Sequence, residues 1–252
     1  MTIFTCEHEW DAMLTCIYEA FNSKLGHQNI KLMFEPVEQL TLFDNYIHVD
    51  KDEAKVNKMV DTINTHLSPY VYSELAFSSL AYEADVLDNI YHVLILGFAY
   101  GKNILDMIKY RDVMRNSEIR KRVGREANRF QEIIRFHQIN DLYIAHIDPK
   151  SKVLAYLGPV FMDRMPSENF VIVDDTNLEM VVHEKNSDFY IQKITPLELE
   201  RLKETELIND DYTSLWRVFF NTIAIKERKN IKCQNNHSPL WARTHAVEFQ
   251  SQ

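Results

Sequence analysis

Apolar residues recur at helical spacing in the first part of the chain and at strand-like spacing in the second. In EHEWDAMLTCIYEAFNSK, residues Trp10, Met13, Leu14, Ile17, Tyr18 and Phe21 share one helical face, which predicts an amphipathic helix. MTIFTC ahead of it reads as a short opening strand, and LTLFDNYIHV alternates as a strand does. Asp50 and Glu53 resemble a capping box, with Asp50 capping a helix that runs through DEAKVNKMVDTINTHL and stops before Ser68-Pro69. Residues 69–110 predict further helices, with Gly97 and Gly101 as points of close packing or breakage.

Beyond an arginine-rich run the pattern changes. IIRFHQIN, LYIAHIDP, NFVIVDD, LEMVVHE and DFYIQKI are short, β-branched and aromatic, and Asn/Asp turns separate them. KVLAYLGPVFMDRM interrupts these strands as a helix, and Asp211 to Glu227 form the last clear helix. The polar tail 229–252 reads as irregular and anchored by Trp241. The expected fold is α+β. A helical N-terminal half (1–115) packs on an α+β half (116–252) with a small, mostly antiparallel sheet and flanking helices.

Composition sets bounds. The 252 residues are 46% apolar and 26% charged, with only 5 Gly and 7 Pro, as in a globular protein. The longest apolar run, VLILGFAY, is far short of the roughly 18–20 residues of a membrane span, and MTIFTCEHEW lacks a basic and apolar leader. Cys6, Cys16 and Cys233 are odd in number and form no C-x-x-C pair, which predicts reduced thiols in the cytoplasm. Cys233 and His237 have a spacing a metal could use, but no second ligand pair follows, and no cofactor motif is present, so neither metal nor cofactor is expected.

Charge is unevenly spread. The net charge is -9, yet Lys109–Arg129 holds eight basic against three acidic residues, and Arg217–His245 holds six against one. Each segment carries +5, so the remainder carries -19, a split that suggests one surface for a polyanion. The alternative is two solvated helices with ion-pair partners elsewhere. On a helix, Val123, Ala127, Phe130 and Ile134 fall within about 60° of one another and should be buried. Arg122, Arg125, Glu126 and Arg129 are placed on another face, with Glu126 pairing to Arg122 or Arg129 at one-turn spacing. Gly124 marks a helix start or a close approach. Guanidinium forks suit phosphate. In the second segment Trp216, Phe219, Phe220 and Ile223 should be core, and Lys226, Arg228, Lys229 and Lys232 follow beside Gln234, Asn235, Asn236 and His237. Cations there also complement a helix dipole. Arg125 and Arg228 are expected on one face, and Arg164 and Glu227, beside apolar runs, are expected to be partly buried and paired.

IYEAF, VGREANRFQEIIRF, GPVFMDRMPSENFVIVDD and LWRVFFNTIAIKERKN, in this order, resemble a bacterial family described as DNA metabolism or DNA repair proteins. The family patterns are V-G-R-E-x-H-R-F, A-P-H-F-x-x-R-F-P-x-E-N-W and L-W-K-x-F-F-x-x-I-A-I-K-E-R-x-N. Gly124, Arg125, Glu126, Arg129 and Phe130 match the first. Pro159, Phe161, Arg164, Pro166 and Asn169 match the second. Lys226, Glu227, Arg228 and Asn230 match the third. The chain departs at Asn128 and Val160, where the family has histidine, and at Phe170, where it has tryptophan, which weakens any role resting on those histidines. The resemblance implies DNA metabolism and a radical S-adenosylmethionine protein as partner; a related domain occurs fused to a uracil-DNA-glycosylase-like domain.

The leading expectation is therefore DNA binding through Arg122, Arg125, Arg129, Arg164, Lys226, Arg228, Lys229 and Lys232, in concert with the radical enzyme. One alternative is a DNA-acting enzyme using Glu126, Asp163, Asp174 or Glu227 as acid, base or metal ligand. Another is a protein scaffold for the radical enzyme with no DNA contact.

Overall fold

A computed structural model describes residues 1–37, 39–206, 211–223, 230–237 and 239–249. The fold is α+β. The chain divides into two compact units, Met1–Val123 and Gly124–Gln252, and helix α5 (Arg111–Ile133) contributes its first half to one and its second half to the other. No helix among the described residues is long and apolar enough to cross a membrane.

The first unit is built on β1 (Thr2–Cys6), the middle strand of a parallel sheet with β2 (Ile30–Phe34) on one side and β3 (Asn45–His48) on the other. Parallel strands cannot be joined by a tight turn, so α1 (Trp10–Asn22) supplies the crossover from β1 to β2. Its Met13, Leu14 and Ile17 are fully buried, as their spacing predicts. Strand β2 is absent from the sequence reading, although buried Ile30 and Leu32 alternate with exposed Lys31.

Helix α2 (Glu53–His66) starts two residues later than expected. Asp52, not Asp50, caps it, accepting from the amides of Ala54 at 2.9 Å and Lys55 at 3.2 Å, while Asp50 is drawn to His48 Nε2 at 3.0 Å. Ser68 caps α3 (Pro69–Ser78) with Pro69 in the first turn, where a missing N–H costs nothing. Helix α4 (Val86–Tyr100) ends at Gly101, whose φ of +88° favours glycine. Gly97 is a close-packing point, since a Cβ there would lie 3.0 Å from Leu67 Cδ1.

The second unit holds a five-stranded sheet of β4 (His137–Ile139), β5 (Leu142–Ile147), β6 (Asn169–Asp174), β7 (Glu179–His183) and β8 (Phe189–Lys193), in that order. Only β5 and β6 are parallel; the other three pairings are antiparallel. Helix α6 (Leu154–Arg164) makes the crossover between β5 and β6. Side-chain alternation buries Ala145, Ile147, Phe170 and Ile172 with Ala127 and Phe130 of α5 and with Leu157 and Phe161 of α6. The opposite side chains, Ile144, Val171 and Val173, pack with Leu199 of α7 (Pro196–Glu206).

IIRF is not strand: Ile133 closes α5 and the strand begins only at His137. Gly124 lies inside α5 and starts nothing. Helix α7 went unread because PLELERLKETE is mostly charged, yet its start carries a capping box, with Thr195 N donating to Glu198 Oε2 at 2.7 Å and Glu198 N donating to Thr195 Oγ1 at 3.3 Å. Helix α8 (Asp211–Ile223) is present, but Phe219 is not core. It is 52% exposed, beside exposed Leu215 and Val218, while Trp216 turns to Glu248, donating from Nε1 to Oε2 at 3.2 Å. A short helix α9 (Ile231–His237) and a 3-10 turn, Leu240–Arg243, replace the irregular tail.

Candidate functional site at the carboxyl ends of two parallel strands

Strands β5 and β6 run in register from Leu142 opposite Asn169 to Ile147 opposite Asp174. The amide of Asp175 still donates to Ile147 O at 3.0 Å. The next residues of both strands, Asp148 and Asp175, therefore emerge together beyond the same sheet end. Carboxyl ends of parallel strands joined by a crossover helix are a common place for ligand sites.

Two histidines complete the cluster. His146, on β5, has a fully buried side chain and donates from Nδ1 to Asp175 Oδ1 at 2.8 Å. His245, brought from the far end of the chain, lies 3.0 Å from Asp148 Oδ2 and 4.0 Å from Asp175 Oδ2 through Nε2. The ligand atoms of Asp148, Asp175 and His245 all lie within 4.8 Å of one another. The bond from His245 holds the Asp148 carboxyl below the usual range, outweighing the effect of burial. Lys203 Nζ, on α7, stands 3.0 Å from Asp175 Oδ2. It supplies the countercharge to that oxygen, and among the described residues Asp175 Oδ2 and His146 Nε2 are both buried with no hydrogen-bond partner. The Asp175 side chain is 3% exposed, His245 16% and Asp148 33%, so the approach from solvent is past Asp148.

None of these residues was singled out in sequence. Asp148 and His245 are 97 residues apart, and no spacing motif links them. The legible part was that LYIAHID and NFVIVDD both end in aspartate.

The arginine-rich helix divides differently from its expected faces. Val123, Ala127 and Phe130 are buried as predicted, and Ile134 is nearly so. Glu126 is buried with them instead of pairing with Arg122 or Arg129. Its Oε1 accepts from Lys150 N at 2.7 Å and its Oε2 from Ser151 N at 3.2 Å. Arg122 is paired with Glu83 at 2.6 Å. Arg125 is exposed. Arg129, half-buried, stacks its guanidinium over Trp241 at 5.5 Å, and Lys150 Nζ lies 5.9 Å from the same ring. Asn128 accepts from Tyr156 Oη at 3.2 Å.

The remaining candidates are dispersed. Arg164 is exposed, not buried. It sits over Phe161 at 5.4 Å, donates to the Gln131 carbonyl at 3.4 Å, and makes no ion pair among the described residues. Its position in the last turn of α6 lets the long side chain lie along the surface. Asp163 is exposed beside it. Lys232 is exposed on α9. Lys226, Glu227, Arg228 and Lys229 lie outside the described residues, and with them the convergence of Arg125 and Arg228 and the pairing of Glu227.

Asp174 is fully buried and committed to the β6–β7 turn. Its Oδ1 accepts from the amides of Thr176 and Asn177, and its Oδ2 from Asn177 Nδ2 at 2.7 Å. Burial pushes its carboxyl up to about 7, against those hydrogen bonds. A raised acid favours the folded state fully below its unfolded value of 3.8 and loses that contribution as pH rises toward about 7. Urea unfolding across this range should show wild-type stability falling with pH relative to Asp174→Asn. Parallel pH profiles for the two proteins would mean that the carboxyl keeps an ordinary pKa.

No curated protein matches the chain. Residues 84–248, more than half of its length and including the Asp148–Asp175–His245 cluster, Glu126 and Trp241, match the family described as DUF4130, a domain of unknown function, and the chain belongs to that family.

Proposed function

We propose that this is a DNA metabolism protein whose second unit binds nucleic acid through phosphates and unstacked bases around Trp241. The observation that carries this reading is a partly exposed indole ring, 37% accessible, with Arg129 and Lys150 stationed over it and Arg125 exposed on the same helix as Arg129. An aromatic platform among cations is the usual device for single strands, with bases stacked on the ring and phosphates held by the charges. The sequence motifs that resemble DNA repair proteins support the same reading, and they support a radical S-adenosylmethionine protein as its partner. Free Cys6, Cys16 and Cys233 suit a reducing, cytoplasmic setting. The bond with Cys6, together with burial, pushes the Cys16 thiol up, so it stays protonated. Of the carboxylates considered for catalysis, Glu126 and Asp174 are occupied with backbone hydrogen bonds, which favours binding over an enzymatic role for them.

Fluorescence anisotropy with labelled single-stranded and duplex oligonucleotides tests the proposal. With three cations engaged, raising salt from about 50 to about 200 mM should weaken single-strand binding roughly twentyfold. Trp241→Ala should cost about 1–3 kcal/mol on single strands. Arg125→Ala should reduce the salt slope by about one contact without changing sequence preference. Absence of binding at low salt, with and without the radical enzyme, would reject DNA contact and favour the scaffold.

A further inference from the structure

We propose that Asp148, Asp175 and His245 form a binding site for a first-row divalent ion such as Zn2+ or Mn2+. The inference stands on these three residues and does not depend on the nucleic-acid reading.

The donor set is one imidazole nitrogen and two carboxylate oxygens, which suits such ions. Two of the donor atoms, His245 Nε2 and Asp148 Oδ2, are already 3.0 Å apart, and Asp175 Oδ2 is 4.0 Å from the same nitrogen. Ligands about 2.1 Å from an ion stand roughly 3.4 Å from each other in a tetrahedron, so closing on a cation needs movements under about 1 Å. A second observation points to a ligand. Asp175 Oδ2, on a side chain 3% exposed, faces His245 and has no hydrogen-bond partner among the described residues. The cation nearest this oxygen is Lys203 Nζ at 3.0 Å, and a metal would take the place of that ammonium. His146 holds the other oxygen of Asp175 at 2.8 Å and fixes the carboxylate's orientation, as supporting hydrogen bonds do around metal ligands.

The competing arrangement is a closed ion-pair network in which Lys203 neutralises Asp175. That ammonium sits on a side chain 47% exposed, 3.0 Å from Asp175 Oδ2, and a divalent ion bound to the same oxygen would displace it. With His146 and His245 neutral, two aspartates against one lysine also leave a surplus negative charge. Three protein ligands and an approach past Asp148 would leave one position for water or a phosphate oxygen, the pattern of reactive rather than structural metal sites.

Isothermal titration of chelator-treated full-length protein with ZnCl2 and with MnCl2 tests this, using Cys233→Ser as the background to remove a competing thiol. One ion per chain is expected. Asp175→Asn and His245→Ala should each weaken binding more than about tenfold, with circular dichroism reporting whether they fold. Lys203→Met should bind several-fold more tightly, because the competing cation is gone. That gain cannot come from a damaged fold, so it separates a metal site from an ion-pair network. No uptake by either the Cys233→Ser protein or its Lys203→Met variant, or uptake unchanged by both Asp175→Asn and His245→Ala, would overturn the assignment.

Discussion

Glu126→Ala should lower the stability of the protein by about 2–4 kcal/mol, because it leaves the amides of Lys150 and Ser151 facing a void. Each buried donor without an acceptor costs roughly 1–3 kcal/mol. For a chain of this size each kcal/mol shifts the melting temperature by about 2–4 °C, so the midpoint should fall by about 5–15 °C. Glu126→Gln retains one acceptor oxygen but turns an NH2 toward the other amide, and about 1–2 kcal/mol of loss is expected. Thermal unfolding followed by circular dichroism measures both. A wild-type midpoint for the alanine variant would return Glu126 to the solvent face that its charge suggests. The loop that Glu126 fixes also carries Lys150, one of the two cations over Trp241. Local stability and ligand contact thus meet at one carboxylate.

Gly158→Ala should cost about 1–3 kcal/mol by overpacking. A Cβ at this position would fall 2.7 Å from Phe189 Cε2 and 2.8 Å from its Cδ2, closer than carbon atoms approach. Glycine inside α6 is itself unfavourable by about 1 kcal/mol relative to alanine, so its presence reflects the need to bring the helix against β8. Removing the ring should reverse the sign. In the background of Phe189→Leu, the alanine at 158 should be neutral or stabilising, and a double-mutant cycle by urea unfolding measures the coupling. Equal costs in the two backgrounds would show that the ring does not meet the new methyl group.

The readable parts of this fold are those where periodicity and burial coincide. Five strand segments of the second unit, the crossover helix and the buried stripe of α5 follow from spacing alone. Glu126 shows where this fails. It lies three residues after Val123 and four before Phe130, inside the apolar stripe by angle, but its charge assigned it to the arginine face. Only the amides of Lys150 and Ser151, distant in sequence, make a buried carboxylate tolerable there. Phe219 is the opposite case, an apolar residue on a regular face that the fold leaves exposed. The Asp148–Asp175–His245 cluster was out of reach for a different reason. It depends on strand register and on the return of the chain's last segment, neither of which leaves a local pattern.

The family block begins at residue 84, just ahead of α4, and this start does not coincide with a folding boundary. Helix α4 is sheathed on nearly all sides: Ile90, Tyr91, Val93 and Leu94 are wholly buried in the same core as Leu14, Ile17 and Leu32. Asp88 accepts from the amide of Leu32 at 2.9 Å, and Tyr91 shares a 2.7 Å bond with His27. A fragment holding only the shared block would strip α4 of the side that packs on Leu14, Ile17 and Leu32 and leave it only the partners inside the block, such as Ile104, Val113 and Ile119. In this chain, then, the unit of kinship and the unit of folding are different objects, and the first 83 residues supply core that the shared block lacks.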